Sequence, residues 1–253
     1  MIPNDDAAGV ASLETSIDII EYLERQDGAR IIDIAEALDL SKSAVHKHLT
    51  SLRQREYVVQ EGDAYYLGLR FTYLGEGALT RKESYIRVRN LASRLSTETG
   101  LESGVIIEEN GRGAYLKSET EDVGRLHMGP KLGDRTHLHT TAAGKSILAA
   151  MPPEQVDQVV DHWGLPAMTE NTITDRKELL ADLERIRERG YAINDEENSP
   201  GIQAIATDVQ RRDGTVLGGI GLTMSHFQTD SEWFQTRLPE TLLDHVAEFE
   251  ETL

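Results

Sequence analysis

Apolar residues return at Leu13, Ile17, Ile20 and Leu23, the spacing of a helix over residues 12–26 with a single buried face. Asp27-Gly28 ends it. Ile34, Ala35 and Leu38 mark the inward side of a second short helix, about Ile31 to Leu38, and Asp39-Leu40 supplies a tight turn. Ser41 is a natural N-cap for a third helix running to about Arg55, whose inward positions are Val45, Leu49 and Leu52. Tyr57 to Gln60 and Ala64 to Leu67 then read as two short strands around Glu61-Gly62-Asp63, a hairpin. Three helices followed by a hairpin make a winged helix-turn-helix.

The pattern changes further along. Tyr85, Val88, Leu91 and Leu95 form one stripe of a longer helix that Thr99-Gly100 stops. Val105 to Ile107 and Ala114 to Leu116 flank Asn110-Gly111, the signature of a hairpin with a type I′ turn. Helical stretches are predicted at Ala142 to Ala150, Glu154 to His162 and Asp175 to Arg189, the last with Asp175 and Glu178 at capping-box spacing. Tyr191 to Ile193, Ile205 to Val209 and Val216 to Met224 read as strands, with Arg212 to Gly214 as the turn between the last two. Leu238, Leu242, Val246 and Phe249 give a closing helix. Strands and helices mix without regular βαβ alternation, so the fold class is α+β, with an antiparallel sheet in the second half. The expected organisation is a disordered lead at 1–11, a winged helix-turn-helix at 12–78, a linker helix at 79–99 and a second domain at 100–253.

Composition narrows the setting. The chain has 253 residues, no cysteine and no run long and apolar enough for a membrane span. Disulfides and thiolate metal sites are therefore excluded. Met1 to Asp6 lacks the basic and apolar character of a signal peptide, so a cytoplasmic location is expected. The net charge is −18, spread along the chain and not gathered in a tail. Such acidity reads either as a surface for basic partners or, favoured by its dispersal, as adaptation to a salt-rich, halophilic cytoplasm, where carboxylates keep the surface hydrated and repulsion is screened.

Against that background one window stands out. Leu40 to Arg55 contains no Asp or Glu, yet holds Lys42, Lys47, Arg53 and Arg55. Ser41, Lys42, Ser43, His46 and Lys47 at the start of the third helix, with Thr50 and Arg53 further along, are donors suited to base edges and phosphates of double-stranded DNA. The helix N-terminus itself favours a phosphate.

The same residues carry a family resemblance. Ile31 to Leu49 with Tyr66-Leu-Gly-Leu-Arg70 resembles the winged helix of the IclR-type transcription regulators. Leu138 to Leu148, Asn171 to Asp175, Arg189 to Glu197 and Gly201 to Ala206 extend the likeness over nearly the whole chain, from about residue 12 to 250. The resemblance implies a transcription regulator with an operator DNA partner, a linker helix and a GAF-like α/β domain that senses a small-molecule effector, with no cofactor, metal or catalytic residue. It implies a homodimer or a dimer of dimers (a homotetramer), and an organic or sugar acid that controls catabolic genes. It places the effector among Met128, Thr141, Ala142, Ala143, Gly144, Asn194, Asp195, Ala204, Gly221 and Thr223. Three of these depart from the family pattern. Asn194 stands where an acidic residue is typical, Ala204 where a cysteine is common and Gly221 where a serine is expected, which points to a roomier pocket and a ligand larger than a two- or three-carbon acid.

Other motifs carry less. Gly144-Lys145-Ser146 looks like the end of a P-loop, but His139 stands where the first glycine belongs. His127, His137 and His139 meet no metal-site spacing rule. Gly218 to Gly221 lacks the dinucleotide fingerprint and marks close packing or pocket space. The rival reading is a ligand-binding protein or enzyme that uses its winged helix for protein contacts; the carboxylate-free window opposes it.

Overall fold

The computed structural model describes residues 9–119, 130–225 and 236–253. The chain divides into two compact units that meet at Arg81/Lys82.

The N-terminal unit contains α1 (Ala11–Arg25), β1 (Ala29–Arg30), α2 (Ile31–Ala37), α3 (Lys42–Gln54), β2 (Val58–Glu61), β3 (Ala64–Leu67) and α4 (Arg70–Thr80). Ile19, Leu23, Ile34, Val45, Leu49 and Val58 form its core, with Tyr65 and Ala29 closing one side. Asp27 and Gly28 both take positive φ (51° and 100°), which turns the chain out of α1, and Asp39 (φ 51°) does the same between α2 and α3. The core side of α1 runs through Ile19 and Leu23, whereas Leu13 and Ile17, expected inward, are 59% and 45% exposed. The apolar stripe is wider than the core it covers, so its outer edge, with Val10, stays uncovered.

Two elements carry no sequence signal. β1 has only two residues and exists because Ala29 pairs with Tyr65 across β3, making the wing sheet three-stranded in the order β1-β3-β2. α4 buries no residue and contains Gly75 and Gly77, so neither periodicity nor propensity marks it. The segment expected as a single linker helix at 79–99 comprises the end of α4 and a separate α5 (Glu83–Thr99), interrupted at Arg81 and Lys82. α1 begins inside the expected lead, and residues 1–8 of that lead lie outside the described residues.

The C-terminal unit continues from α5 with β4 (Glu102–Glu109), β5 (Arg112–Glu119), β6 (Arg135–His137), a 3-10 turn (Leu138–Thr140), α6 (Ala142–Ala150), α7 (Pro153–Trp163), α8 (Arg176–Arg189), β7 (Ala192–Asp195), β8 (Ile202–Gln210), β9 (Val216–Ser225) and α9 (Leu238–Glu250). The six strands form one antiparallel sheet in the order β6-β5-β4-β9-β8-β7. α6, α7 and α8 cover one face around Ile106, Leu138, Ile147, Leu179, Leu183 and Ala206. α5 and α9 pack on the other. Asp175 caps α8 by accepting from the Glu178 N–H at 2.9 Å, and Asn110 and Gly111 take the positive φ values that a type I′ turn needs.

Gly144 shows how tightly α6 is seated. A Cβ there would lie 2.1 Å from the Leu138 carbonyl oxygen, so only glycine lets the 3-10 turn fold back onto the helix. Gly75, by contrast, has nothing within 4 Å of that position. Replacing a helical glycine by alanine ordinarily stabilises by about 0.5–1 kcal/mol. Calorimetry is therefore expected to show opposite signs: Gly75→Ala raises the N-terminal unit's midpoint, and Gly144→Ala lowers that of the C-terminal unit by about 1–3 kcal/mol of overpacking. Equal shifts in the same direction would contradict the close approach at Gly144.

Candidate nucleic-acid interface and effector site

α3 presents one continuous polar face. Lys42, Ser43, His46, Lys47, Thr50 and Arg53 follow helical spacing along one side of the helix, bordering the buried Val45 and Leu49. Ser41 caps the helix, its hydroxyl accepting from the Ala44 N–H at 3.1 Å, and the first turn holds no acidic residue. Lys42, Ser43, His46, Lys47 and Arg53 are exposed. Thr50 is half-buried and donates its hydroxyl proton to the His46 carbonyl at 2.7 Å, which leaves its oxygen as an acceptor. His48 faces inward instead, its Nδ1 2.8 Å from the Ser16 hydroxyl of α1. Arg53 donates to the Gln60 side-chain oxygen, and the Gln60 amide donates to the Gly62 carbonyl at 3.1 Å. The last turn of α3 is thus bonded to the turn of the wing.

In the C-terminal unit the sheet register assembles the second site. Asn194 lies opposite Ala204, Ala204 opposite Thr223, and Thr223 opposite Glu102, so the four form one row across β7, β8, β9 and β4. The adjacent row on the same face is Ala192, Ala206, Gly221 and Gly104, a floor of small residues. Over this face sits the start of α6: Thr141 caps it by accepting from the Gly144 N–H at 3.0 Å, and Ala142 and Ala143 are buried. A Cβ on Gly219 would lie 2.4 Å from the Ala143 carbonyl oxygen, which is how closely the helix approaches β9. Asn194 joins the two parts, its amide donating to the Thr140 carbonyl at 2.5 Å while its oxygen accepts from the Glu197 N–H at 3.3 Å.

Three expectations change here. Asp195, one residue on from Asn194, points to the opposite side of β7, is exposed, and accepts from the Gln203 side chain. Gly221 adds no room, since a Cβ there would meet the Ile205 carbonyl oxygen at 2.8 Å and the Ala206 Cβ at 2.9 Å. Gly144 faces the Leu138 backbone and not the sheet. Met128 and His127 lie outside the described residues. Glu102 and Tyr115 do not stand out in the sequence, yet Glu102 shares the row with Thr223, and Tyr115 lies opposite Ile106 on the same face. Burial, reinforced by the Glu102 and Asp134 carboxylates, pushes the Tyr115 hydroxyl up to about 12, so it remains a proton donor. The alternation Glu102, Gly104, Ile106 is the signal that could have found this face.

The lysine of the P-loop lookalike is an internal strut. Lys145 is 2% exposed, and its ammonium donates to Glu197 Oε1 at 2.6 Å and lies 3.0 Å from Asp182 Oδ2. Burial raises the Glu197 carboxyl, and the Lys145 charge opposes that rise. Arg185 reaches the other Asp182 oxygen at 3.2 Å. His139 is buried with Nε2 donating to the Pro166 carbonyl at 3.1 Å, and burial lowers its pKa to about 4. His137 packs edge-on to His139 and Trp163. Among the described residues no group of three or more His, Asp or Glu side chains is arranged to hold a metal.

A winged helix with a carboxylate-free reading face, followed by a helix-covered antiparallel sheet with a small-residue floor, defines a DNA-binding transcription regulator with a C-terminal effector domain. Residues 12–62 match the IclR helix-turn-helix domain, and residues 76–248 match the C-terminal domain of the bacterial transcriptional regulator IclR. The chain belongs to the IclR family. It is 32% identical over 223 residues to the HTH-type transcriptional repressor AllR of Salmonella typhi, covering 85% of this chain and 80% of that one. It is 27% identical over 245 residues to the probable HTH-type transcriptional regulator ArcR of Halobacterium salinarum, covering 95% and 93%. The crystal structure of Thermotoga maritima IclR superposes with a TM-score of 0.79 at 25% identity, over 96% of this chain and 98% of that one. These relatives are regulators of transcription, not enzymes. No helix among the described residues is long and apolar enough to cross a membrane.

The strut sets a measurable expectation. Lys145→Met leaves two buried carboxylates without their shared cation and is expected to cost about 3–5 kcal/mol in urea unfolding near neutral pH. A buried carboxyl with a raised pKa loses stability as pH rises through that value, so the deficit shrinks in mild acid, where Glu197 takes up a proton. A deficit that is small, or the same at about pH 5 and pH 7, would rule out the charge pairing as its source.

Proposed function

We propose that the protein binds operator DNA as a homodimer or dimer of dimers through α3, and that an organic or sugar acid bound over the β7-β8-β9 face controls that binding at catabolic genes. On the DNA side, the supporting observation is that Lys42, Ser43, His46 and Lys47 share one exposed, carboxylate-free face at a capped helix start. Lys42 and Lys47 have no ion pair among the described residues, so their charges are available to phosphates and base edges. Selection of duplexes from a random pool by the full chain supplies the operator. Lys42→Ala with Lys47→Ala is then expected to weaken binding of the selected duplex at least tenfold and to flatten its salt slope by about one unit for each phosphate no longer neutralised. Unchanged affinity and slope would remove α3 from the interface.

The effector reading rests on the row Asn194, Ala204, Thr223 and Glu102 beneath the start of α6. The row crosses four strands, about 14 Å at the usual strand spacing. Its two ends differ in chemistry. The α6 start offers backbone N–H groups and the positive end of a helix dipole to a carboxylate. The other end offers the Glu102 carboxylate and the Tyr115 hydroxyl, which suit a ligand's hydroxyl groups. A hydroxylated acid spans both, with Thr223 and Ala204 between. The location and small-residue floor favour a sugar acid over a short oxoacid for this reason of polarity, not because Gly221 makes space. Calorimetry of the full chain with sugar acids, aromatic acids and short oxoacids tests this. The ligand that binds is expected to lose about tenfold in affinity on Thr223→Val, the worth of one hydrogen bond. Equal binding by the variant, or no binding by any acid, refutes the site.

A further inference from the structure

The wing of this protein ends in charge of the wrong sign for its task. Glu61 closes β2 opposite Ala64, leaving Gly62 and Asp63 as the turn, and all three tip residues are exposed. Among the described residues neither carboxylate has an ion-pair partner. The neighbouring cations do not pair with them: Arg30 is bonded to Asp33 at 2.9 Å and feels Asp63 only at a distance, Arg70 lies 3.7 Å from Glu56, and Arg53, bonded to the neutral Gln60, keeps its charge. Residues 1–80 hold 7 Lys and Arg against 14 Asp and Glu, so no surplus of positive charge offsets the tip.

The geometry carries the tip toward the backbone of a bound duplex. Arg53 lies eleven residues after Lys42, about 16 Å along α3 at 1.5 Å per residue. The major groove is about 12 Å wide. A helix that reads bases with its first turns therefore has its last turn at the groove's edge, and the Arg53-Gln60-Gly62 bonds hold the wing to that turn. We propose that Glu61 and Asp63 are repulsive elements toward DNA phosphates: they deny the wing a backbone anchor, hold down sequence-independent binding at low ionic strength, and make the affinity of this unit unusually tolerant of salt. The inference rests on the docking of α3 given above.

The test uses the full chain, a labelled mixed-sequence duplex and a potassium chloride series read by fluorescence anisotropy. Such a duplex reports the backbone contribution almost alone. Glu61→Gln with Asp63→Asn is expected to tighten binding about fivefold to tenfold at low salt and to steepen the log–log salt slope by one to two units, about 0.9 for each further phosphate neutralised. The two proteins should converge near 1 M salt, where the screening length is about 3 Å. Each single variant should give about half the effect. Glu14→Gln with Asp18→Asn on α1 removes the same charge from outside the wing turn and should do little. An unchanged slope in the wing variant, an equal gain from the α1 pair, or a gain that persists at high salt each overturns the proposal. If Lys42→Ala with Lys47→Ala weakens binding of the selected duplex while the wing variant behaves as wild type, this inference alone fails. If neither set matters, the α3 docking fails with it.

Discussion

The effector half depends on one ammonium group buried between two carboxylates. Lys145 comes from α6, Asp182 from α8, and Glu197 from the turn after β7. Among the described residues no backbone–backbone hydrogen bond joins α6 to α8 or to that turn; a shared apolar core, the Arg187 Nε bond to the Ala149 carbonyl at 2.7 Å and this charge place them together. Asn194 then closes the arrangement by bonding both the Thr140 carbonyl and the Glu197 N–H. The strut thus meets the row of side chains under α6 at its Asn194 end, while strand pairing places the rest. A buried ion pair is an expensive way to gain stability, but it specifies one arrangement and penalises others, since any shift leaves a charge unpaired in a poor solvent.

Most of the fold is legible in the sequence because its boundaries are written in local chemistry. Ser41 and Asp175 cap helices with their own oxygens, Asn110-Gly111 makes a tight turn, and Gly100 and Gly190 stop helices in the left-handed region. What is not legible depends on partners distant in sequence. β1 exists only through Tyr65, and α4 neither buries a stripe nor favours helix. On α1, Leu13 and Ile17 look like core residues because periodicity shows that a face is apolar, not whether anything covers it.

The same limit governs the candidate sites. The polar face of α3 follows from helical spacing alone, and so does the identity of its residues. The effector row does not, because cross-strand register decides which residues meet. Alternation along β7 parts Asp195 from Asn194, and pairing through β9 brings in Glu102. Gly221 illustrates the hazard of reading a small residue as space: its missing Cβ is replaced by the neighbouring strand's backbone. Lys145 is recognisable in the sequence only as a failed motif, since its two partners stand 37 and 52 positions away.

Arg53 and Lys145 show two opposite uses of a cation. Lys145 meets two buried carboxylates, so most of its field is spent inside the fold, where the neighbouring His139 also feels it. Arg53 is held by a glutamine, which fixes the side chain's direction without neutralising it. A glutamate at position 60 would grip the guanidinium more firmly and silence it. With an uncharged partner, the protein separates placement from polarity: the bond organises the wing, and the positive field remains pointed outward. The cation that orders the wing is therefore also one that stays visible at a distance.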